Sequence, residues 1–407
     1  MSHPAPDLGA RLDAVLDRAL AKRRIVGAVV LVSRDGAPVY ARAAGLADRE
    51  AEVPLREDAI FRLASITKPL VTAAFLRLVE QGALPLHAPV TRWLRDFRPR
   101  LPDGTAPEIT LRQLLTHTAG LSYRFLEQPD SAYHRLDVSD GLDQPGLSLA
   151  ENLGRLAEAP LAFAPGTGWR YSLGLDVLGG AMERATGATL PEIVAELVTG
   201  PLGLTDTAFR VVDPSRLATP YADGRPEPVR MTDGVSVPLW DAAASFAPSR
   251  ILDPASYPSG GAGMAGTARD ALAVLEAVRQ GGGPILKPGS VAAMVRLQVG
   301  TEARTQGAGW GFGYGGALLE DPAAAGSPQG RGTLQWGGAY GHSWFVDPEA
   351  RLTVVALTNT AFEGMSGAFP AEIRDAVYGP VPARRVKPVG RPRRSGPRRG
   401  AGGGEPA

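Results

Sequence analysis

Ser65 and Lys68 stand three residues apart in FRLASITKPLVTAAFLRLVEQGAL, residues 61–84, at the head of an amphipathic stretch. Residues i and i+3 share a helix face, so the Lys68 amine can reach the Ser65 hydroxyl. A serine hydroxyl is a poor nucleophile until a neighbouring base removes its proton, and a lysine at this spacing is one way to supply that base without histidine. A helix that starts near Ser65 leaves its first N–H groups unpaired and partly positive. The serine then sits where an oxyanion can be stabilised. Pro69 falls early enough in such a helix that its missing N–H costs little. Alone, S-x-x-K is a weak signal, because chance matches are common.

Other bases and nucleophiles are scarce. The chain has five histidines, His3, His87, His117, His134 and His342. His117 in LLTHTAGL reads as a structural hydrogen-bonding residue, as do His134 and His342. DVSDG, around Ser139, has Asp137 where the G-x-S-x-G elbow needs glycine and follows no clear strand, so it is rejected as a nucleophile motif. FAPGTGWRYSLGLDVLG, residues 163–179, is more informative: a Pro-Gly turn delivers Tyr171 to the start of a second helix. A phenol has an ordinary pKa of about 10, and an adjacent ammonium favours its anion. Tyr171 could therefore relay the Ser65 proton, although the same tyrosine in isolation would read as a core residue. The chain has no cysteine, which removes disulfides and thiolate chemistry. No His/Asp/Glu spacing resembles a metal site, so neither metal nor other cofactor is expected.

The elements that must hold these residues show in the hydrophobic pattern. VGAVVLVSR, residues 26–34, is an apolar run, Asp35-Gly36 follows, and APVYARAAG comes next, which together predict a hairpin. Helical patterns dominate from about 70 to 210. GWGFGYGG, GTLQWGGAYGHSWFVDP and RLTVVALTNT then read as strands, and GAFPAEIRDAVYG as a closing helix. Early and late strands around a helical middle imply an α/β (α+β) fold, one antiparallel sheet flanked by helices with an inserted helical lobe. The expected division is an α/β lobe from about 1–75 and 255–380, and a mainly helical lobe at about 76–254, with a cleft between them.

The net charge of the 407 residues is +1, but residues 381–407 hold eight basic residues and one acid, leaving about −6 for the body. This Pro/Gly-rich basic tail has little to bury and is expected to be disordered. It is read as a solvated extension, so no nucleic-acid partner is predicted. The N-terminus mixes acids with apolar residues and reads as an amphipathic helix rather than a signal peptide, and no run is long enough to span a membrane. The expectation is a cytoplasmic enzyme with a small-molecule substrate and no membrane partner.

FRLASITKP, LLTHTAGL, FAPGTGWRYSLGLDVLG, PLGLTDT, YPSGGAGMAGTARD and WGGAYGHSWFVDP occur in this order across most of residues 10–378. Together they resemble the class C branch of the serine β-lactamase and penicillin-binding superfamily, which implies a β-lactamase-like fold. YSL together with WGG is most similar to the family VIII carboxylesterases. The resemblance implies that Ser65 forms an acyl-enzyme and that Lys68 and Tyr171 share the base work. It also implies that the backbone N–H groups of Ser65 and Ala339 make the oxyanion hole. Trp336, Gly337 and Gly338 occupy the place of the family's K-T-G strand.

Two departures bear on substrate. Leu173 stands where the family's Y-x-N motif carries an amide, and Trp336-Gly337-Gly338 lacks the cation and hydroxyl that hold a substrate carboxylate. Aromatics expected in the cleft, Tyr123, Phe125 and Tyr133, favour an uncharged group as well. The reading is a serine carboxylesterase cleaving short-chain acyl esters, with the acetyl ester of cephalosporins a candidate. The alternatives are a β-lactamase or D-alanyl peptidase, an acyltransferase using the same acyl-enzyme, and a catalytically dead binding module.

Overall fold

A computed structural model describes residues 7–239 and 242–379 of the chain. The tail at 381–407, expected to be disordered, lies outside the described residues. The elements that build the site are numbered here in chain order.

The predicted hairpin is present: β1 (Gly27–Arg34) turns through Asp35 and Gly36, both at positive φ, into β2 (Ala37–Asp48). Positive φ at both central residues is the geometry that twists a two-residue turn with its strands. β3 (Val53–Pro54) pairs with β2. The late strands are β4 (Trp310–Phe312), β5 (Ala317–Leu319), β6 (Leu334–Gly338), β7 (His342–Asp347) and β8 (Leu352–Thr358). They join the early ones in one eight-stranded antiparallel sheet, in the order β4-β5-β6-β7-β8-β1-β2-β3. Early and late strands therefore meet at the centre of the sheet, where β1 pairs with β8 from Ala28↔Thr358 to Arg34↔Leu352.

Seven of the eight β1 residues are buried, which is why the run is apolar without alternation. Ala28, Val30 and Val32 face α1 (Leu8–Ala21) and the closing helix α8 (Ala368–Tyr378), packing with Leu12, Leu16, Phe369 and Ile373. Val29 and Leu31 face the other way, into the core shared with α2 (Thr67–Glu80) and α6 (Ala268–Arg279). The chain therefore has the expected α/β architecture: a large antiparallel sheet with helices on both faces.

Between the early and late strands run α3 (Leu111–Leu115), α4 (Leu149–Glu158) and α5 (Gly174–Thr186), with two short hairpins. The hairpins, one of them pairing Val235–Leu239 with Ala242–Phe246, lie in a segment read as mainly helical. The larger apolar cluster runs without interruption from Val29 and Val355 of the sheet through Phe75 to Leu114 and Leu178. α2 lies within it, and eleven of its fourteen residues are buried.

Phe369 is fully buried where α8 closes the outer face of the sheet, and it lies outside the residues that line the cavity described below. Phe369→Ala is expected to cost about 3–5 kcal/mol of stability by opening a cavity. The folded fraction should keep its turnover per molecule. Urea melts, with activity normalised to folded protein, check both.

Candidate active site

Ser65 sits in a single 3-10 turn, Ala64–Ile66, that feeds directly into α2. The α-helix itself begins at Thr67, two residues later than the nucleophile, so Pro69 lies in its first turn. Ala64 has a φ of 45°, a left-handed conformation that L-residues avoid. Nothing in the sequence signals this strain, and it stands beside the candidate nucleophile.

Lys68 is one turn on and only 1% exposed. Its Nζ donates to Ser65 Oγ at 3.0 Å and to the Gly261 carbonyl at 2.8 Å. Ser65 Oγ also shares a 2.7 Å hydrogen bond with the Tyr171 hydroxyl. Trp336 Nε1, on β6, donates to that same phenol oxygen at 3.2 Å. Serine, lysine, tyrosine and tryptophan thus form one connected polar chain drawn from three segments of sequence.

Three local devices hold these segments together. Phe61–Arg62 pairs with Ala265–Gly266, and the Leu63 N–H donates to Met264 O at 2.9 Å, so the strand before Ser65 is laced to the loop that offers Gly261. Ser172, next to Tyr171, donates its N–H to His117 Nδ1 at 3.2 Å, and the His117 ring packs edge-on to Tyr171. Gly338 lets β6 approach the serine turn: a Cβ there would lie 2.6 Å from Leu63 O.

A cavity of about 760 Å³ opens over this chain. Ser65, Tyr171, Trp336, Gly337 and Ala339 line it, as do Tyr123 and Phe125. Ala339 lies in the turn between β6 and β7, on the same cavity as Ser65. Three residues expected to contact substrate do not line this cavity. Tyr133 is buried in the core with its hydroxyl accepting from the Ser122 N–H at 2.8 Å, so it fixes the cleft loop instead of touching the cavity. Leu173 is fully buried in the main apolar cluster, because an aliphatic side chain gains more there than at a wet rim. Gly338 does not line the cavity either; its role is the close approach to Leu63. Lys68 stands behind the nucleophile, where the cavity does not reach it.

Apolar side chains that the sequence did not single out complete the cavity, among them Trp169, Leu239, Ala244 and Met365. Leu239 and Ala244 come from the short hairpin, whose pattern carried no chemical signal. Asp140 also reaches the wall, but it accepts the N–H groups of Arg124 at 2.6 Å and Phe125 at 3.2 Å, and so positions the loop that bears Tyr123. Burial, with Asp143 alongside, pushes its carboxyl up to about 8. Among the described residues no group of three His, Asp or Glu could hold a metal ion, and no helix is long and apolar enough to cross a membrane.

The model of the family described as Beta-lactamase matches residues 12–378. The chain belongs to the Beta-lactamase family. Esterase EstB of Burkholderia gladioli is 59% identical over 378 residues, covering 92% of this chain and 96% of its own. The lovastatin esterase of Penicillium rubens is 30% identical over 378 residues, covering 84% and 90%. Among solved structures, EstCE1, a hydrolase with promiscuous acyltransferase activity, superposes with a TM-score of 0.90 at 50% identity, covering 91% of this chain and 98% of its own.

In this member of the Beta-lactamase family the histidines near the site are structural. Burial, and then the Lys68 charge, holds His117 well below the ordinary imidazole range. Ser139, the rejected alternative nucleophile, is buried and donates to Asp143 Oδ1 at 2.6 Å. His342, at the start of β7, donates Nε2–H to Arg62 O at 2.8 Å, and burial lowers it to about 4. An imidazole that stays neutral when folded, but protonates near 6.5 when unfolded, contributes stability above that pH that is lost as pH falls towards 4. His117 has the same sign. The melting temperature should therefore drop between pH 7 and pH 5, and His342→Gln should make that drop shallower by up to about 1.4 kcal/mol per pH unit. Melts at pH 5, 6 and 7 check this; parallel curves for the two proteins would refute it.

Proposed function

We propose that the chain is a serine carboxylesterase working through a Ser65 acyl-enzyme, with Lys68 and Tyr171 as the base pair. The observation that carries this reading is the connected chain Lys68–Ser65–Tyr171–Trp336 at the floor of an apolar cavity. Tyr171 enters the step as its phenolate: Ser65 Oγ attacks the ester carbonyl while its proton passes along the 2.7 Å bond to the Tyr171 oxygen, leaving a neutral phenol. The Lys68 ammonium, hydrogen-bonded to the same Oγ, and the Trp336 indole N–H, pointing at the phenol oxygen, meet the negative charge that passes between these two atoms. The N–H groups of Ser65 and Ala339 receive the carbonyl oxygen as it becomes an oxyanion. Tyr171 then returns the proton to the departing alcohol, and water, activated in the same way, releases the acid.

The cavity supports a neutral substrate. It falls within the range that encloses drug-sized ligands, so it has room for more than a short acyl group. A small acyl chain with a bulky alcohol fits this shape, and the acetyl ester of a cephalosporin is one such molecule. The names of the relatives, esterases in two cases, favour the same class. An acyltransferase reading is favoured by one feature: the cavity also has space for a second alcohol beside the acyl-enzyme, and EstCE1 is a hydrolase with promiscuous acyltransferase activity.

Ser65→Ala should abolish turnover of p-nitrophenyl butyrate with no change in the melt; near-wild-type activity would move the nucleophile elsewhere. Trp336→Phe keeps the ring but removes the donor to Tyr171, and should lower kcat about tenfold to a hundredfold, the worth of a hydrogen bond to a charged group. On one preparation, kcat/KM for p-nitrophenyl acetate or butyrate should exceed that for nitrocefin by at least about one to two orders of magnitude. At the motif positions that would supply an amide and a cation to a lactam, the chain carries Leu173 and Trp336. Comparable values would restore the lactamase reading. A cephalosporin acetyl ester should lose acetate with its ring intact, read by mass spectrometry.

A further inference from the structure

Asp176 is an ionisable residue that the proposed chemistry leaves unused. It lies in the first turn of α5, five residues beyond Tyr171, and is 1% exposed. Neither carboxylate oxygen has a hydrogen bond of ordinary distance and angle, although the Ser259 hydroxyl is near enough to favour the anion. A carboxylate buried in this state is costly unless an opposite charge lies close.

The opposite charge is Lys68. A Cβ placed on Gly261 would lie 2.9 Å from Asp176 Oδ2, 3.0 Å from the Tyr123 hydroxyl and 3.3 Å from Lys68 Nζ. The carboxylate and the ammonium therefore flank one point, on the bare face of the residue whose carbonyl holds Lys68. They are too far apart for direct contact and close enough for strong Coulomb attraction in a buried site. The other groups facing Asp176 are Arg250, Tyr257 and Tyr123. Arg250 is committed to the carbonyls of Asp143 at 3.1 Å and Tyr257 at 2.8 Å, and the two phenols are buried and uncharged.

We propose that Asp176 is the buried counter-charge of Lys68, a positioning residue that keeps the lysine an ammonium beside Ser65 and so assigns the proton-accepting role to Tyr171. This rests on the Ser65–Lys68–Tyr171 reading above and adds a residue to it. Burial has the largest influence and raises the Asp176 carboxyl above its ordinary range, while the Ser259 hydroxyl, Lys68, Arg250 and the Gly261 N–H, in that order, work against it.

Two measurements test this. A negative charge near the base pair opposes loss of its proton, so Asp176→Asn should move the acid limb of kcat/KM for p-nitrophenyl butyrate to lower pH, by about one unit. KM should change little, since Asp176 does not line the cavity. An acid limb that stays within about 0.2 unit overturns the proposal. The second measurement needs no catalysis. Lys68→Met strands the carboxylate, so at pH 8 the double variant Lys68→Met/Asp176→Asn should melt higher than Lys68→Met alone. A double variant that melts no higher, or that fails to fold, overturns the proposal. Because melts are independent of turnover, this failure is distinct from failure of the nucleophile assignment, which Ser65→Ala reads.

Discussion

Taking the Lys68 ammonium out of water costs several kcal/mol unless the fold gives its protons acceptors, and the surroundings of the site follow from that requirement. The ammonium is 1% exposed in a helix that is otherwise apolar over most of its surface. Ser65 Oγ and Gly261 O accept from it, and the Tyr171 and Tyr123 rings lie over it at 4.7 and 5.4 Å from their centroids. Ring faces are favourable neighbours for a desolvated cation. Those acceptors and rings come from segments nearly two hundred residues apart, so the lysine is satisfied only when residues 61–68, 123, 171 and 261 have all converged. Folding of the core and assembly of the site are in this sense one event.

The sheet contributes at its interior, where β6 brings Trp336 against Tyr171. The indole serves two purposes there. Its ring, packed against Tyr171 and Phe312, gives the cavity an apolar wall, and its N–H ends on the phenol oxygen. In a strand a side chain leaves roughly perpendicular to the sheet, so Trp336 can reach across the cleft while the glycine two residues on lets the backbone close against the serine turn. The apolar wall of the cavity and the hydrogen bond to Tyr171 are thereby tied to one strand.

Elsewhere the site is kept electrically quiet. His117 is held neutral beneath Tyr171, and Asp140 spends its oxygens on two backbone N–H groups. The Lys68 ammonium is the charge whose field reaches Ser65 Oγ directly, at 3.0 Å. The aromatic cluster of Trp169, Tyr171, Phe312 and Trp336 sets the low polarity in which that field acts over a longer range than in water.

Features set by local spacing were legible in the sequence alone. The i, i+3 relation of Ser65 and Lys68 follows from helix geometry, the β1–β2 hairpin from Asp35-Gly36, and the doubly buried β1 from its unbroken apolar run. The sheet of early and late strands followed from where those strands fall along the chain, and the order of the motifs gave the β-lactamase-like fold. Features set by packing were not legible. Tyr133 and Leu173 belong to the same neighbourhood as the cleft residues, yet both turn into the core, because side-chain direction depends on which neighbours fill the space. Gly338 proved a contact of backbone with backbone, and Asp176, though inside the segment that carries Tyr171, was not singled out. Which of two adjacent side chains meets the substrate, and which buried charge meets another, was decided by tertiary structure, since those distances arise only when segments far apart in sequence are packed to the density of a solid.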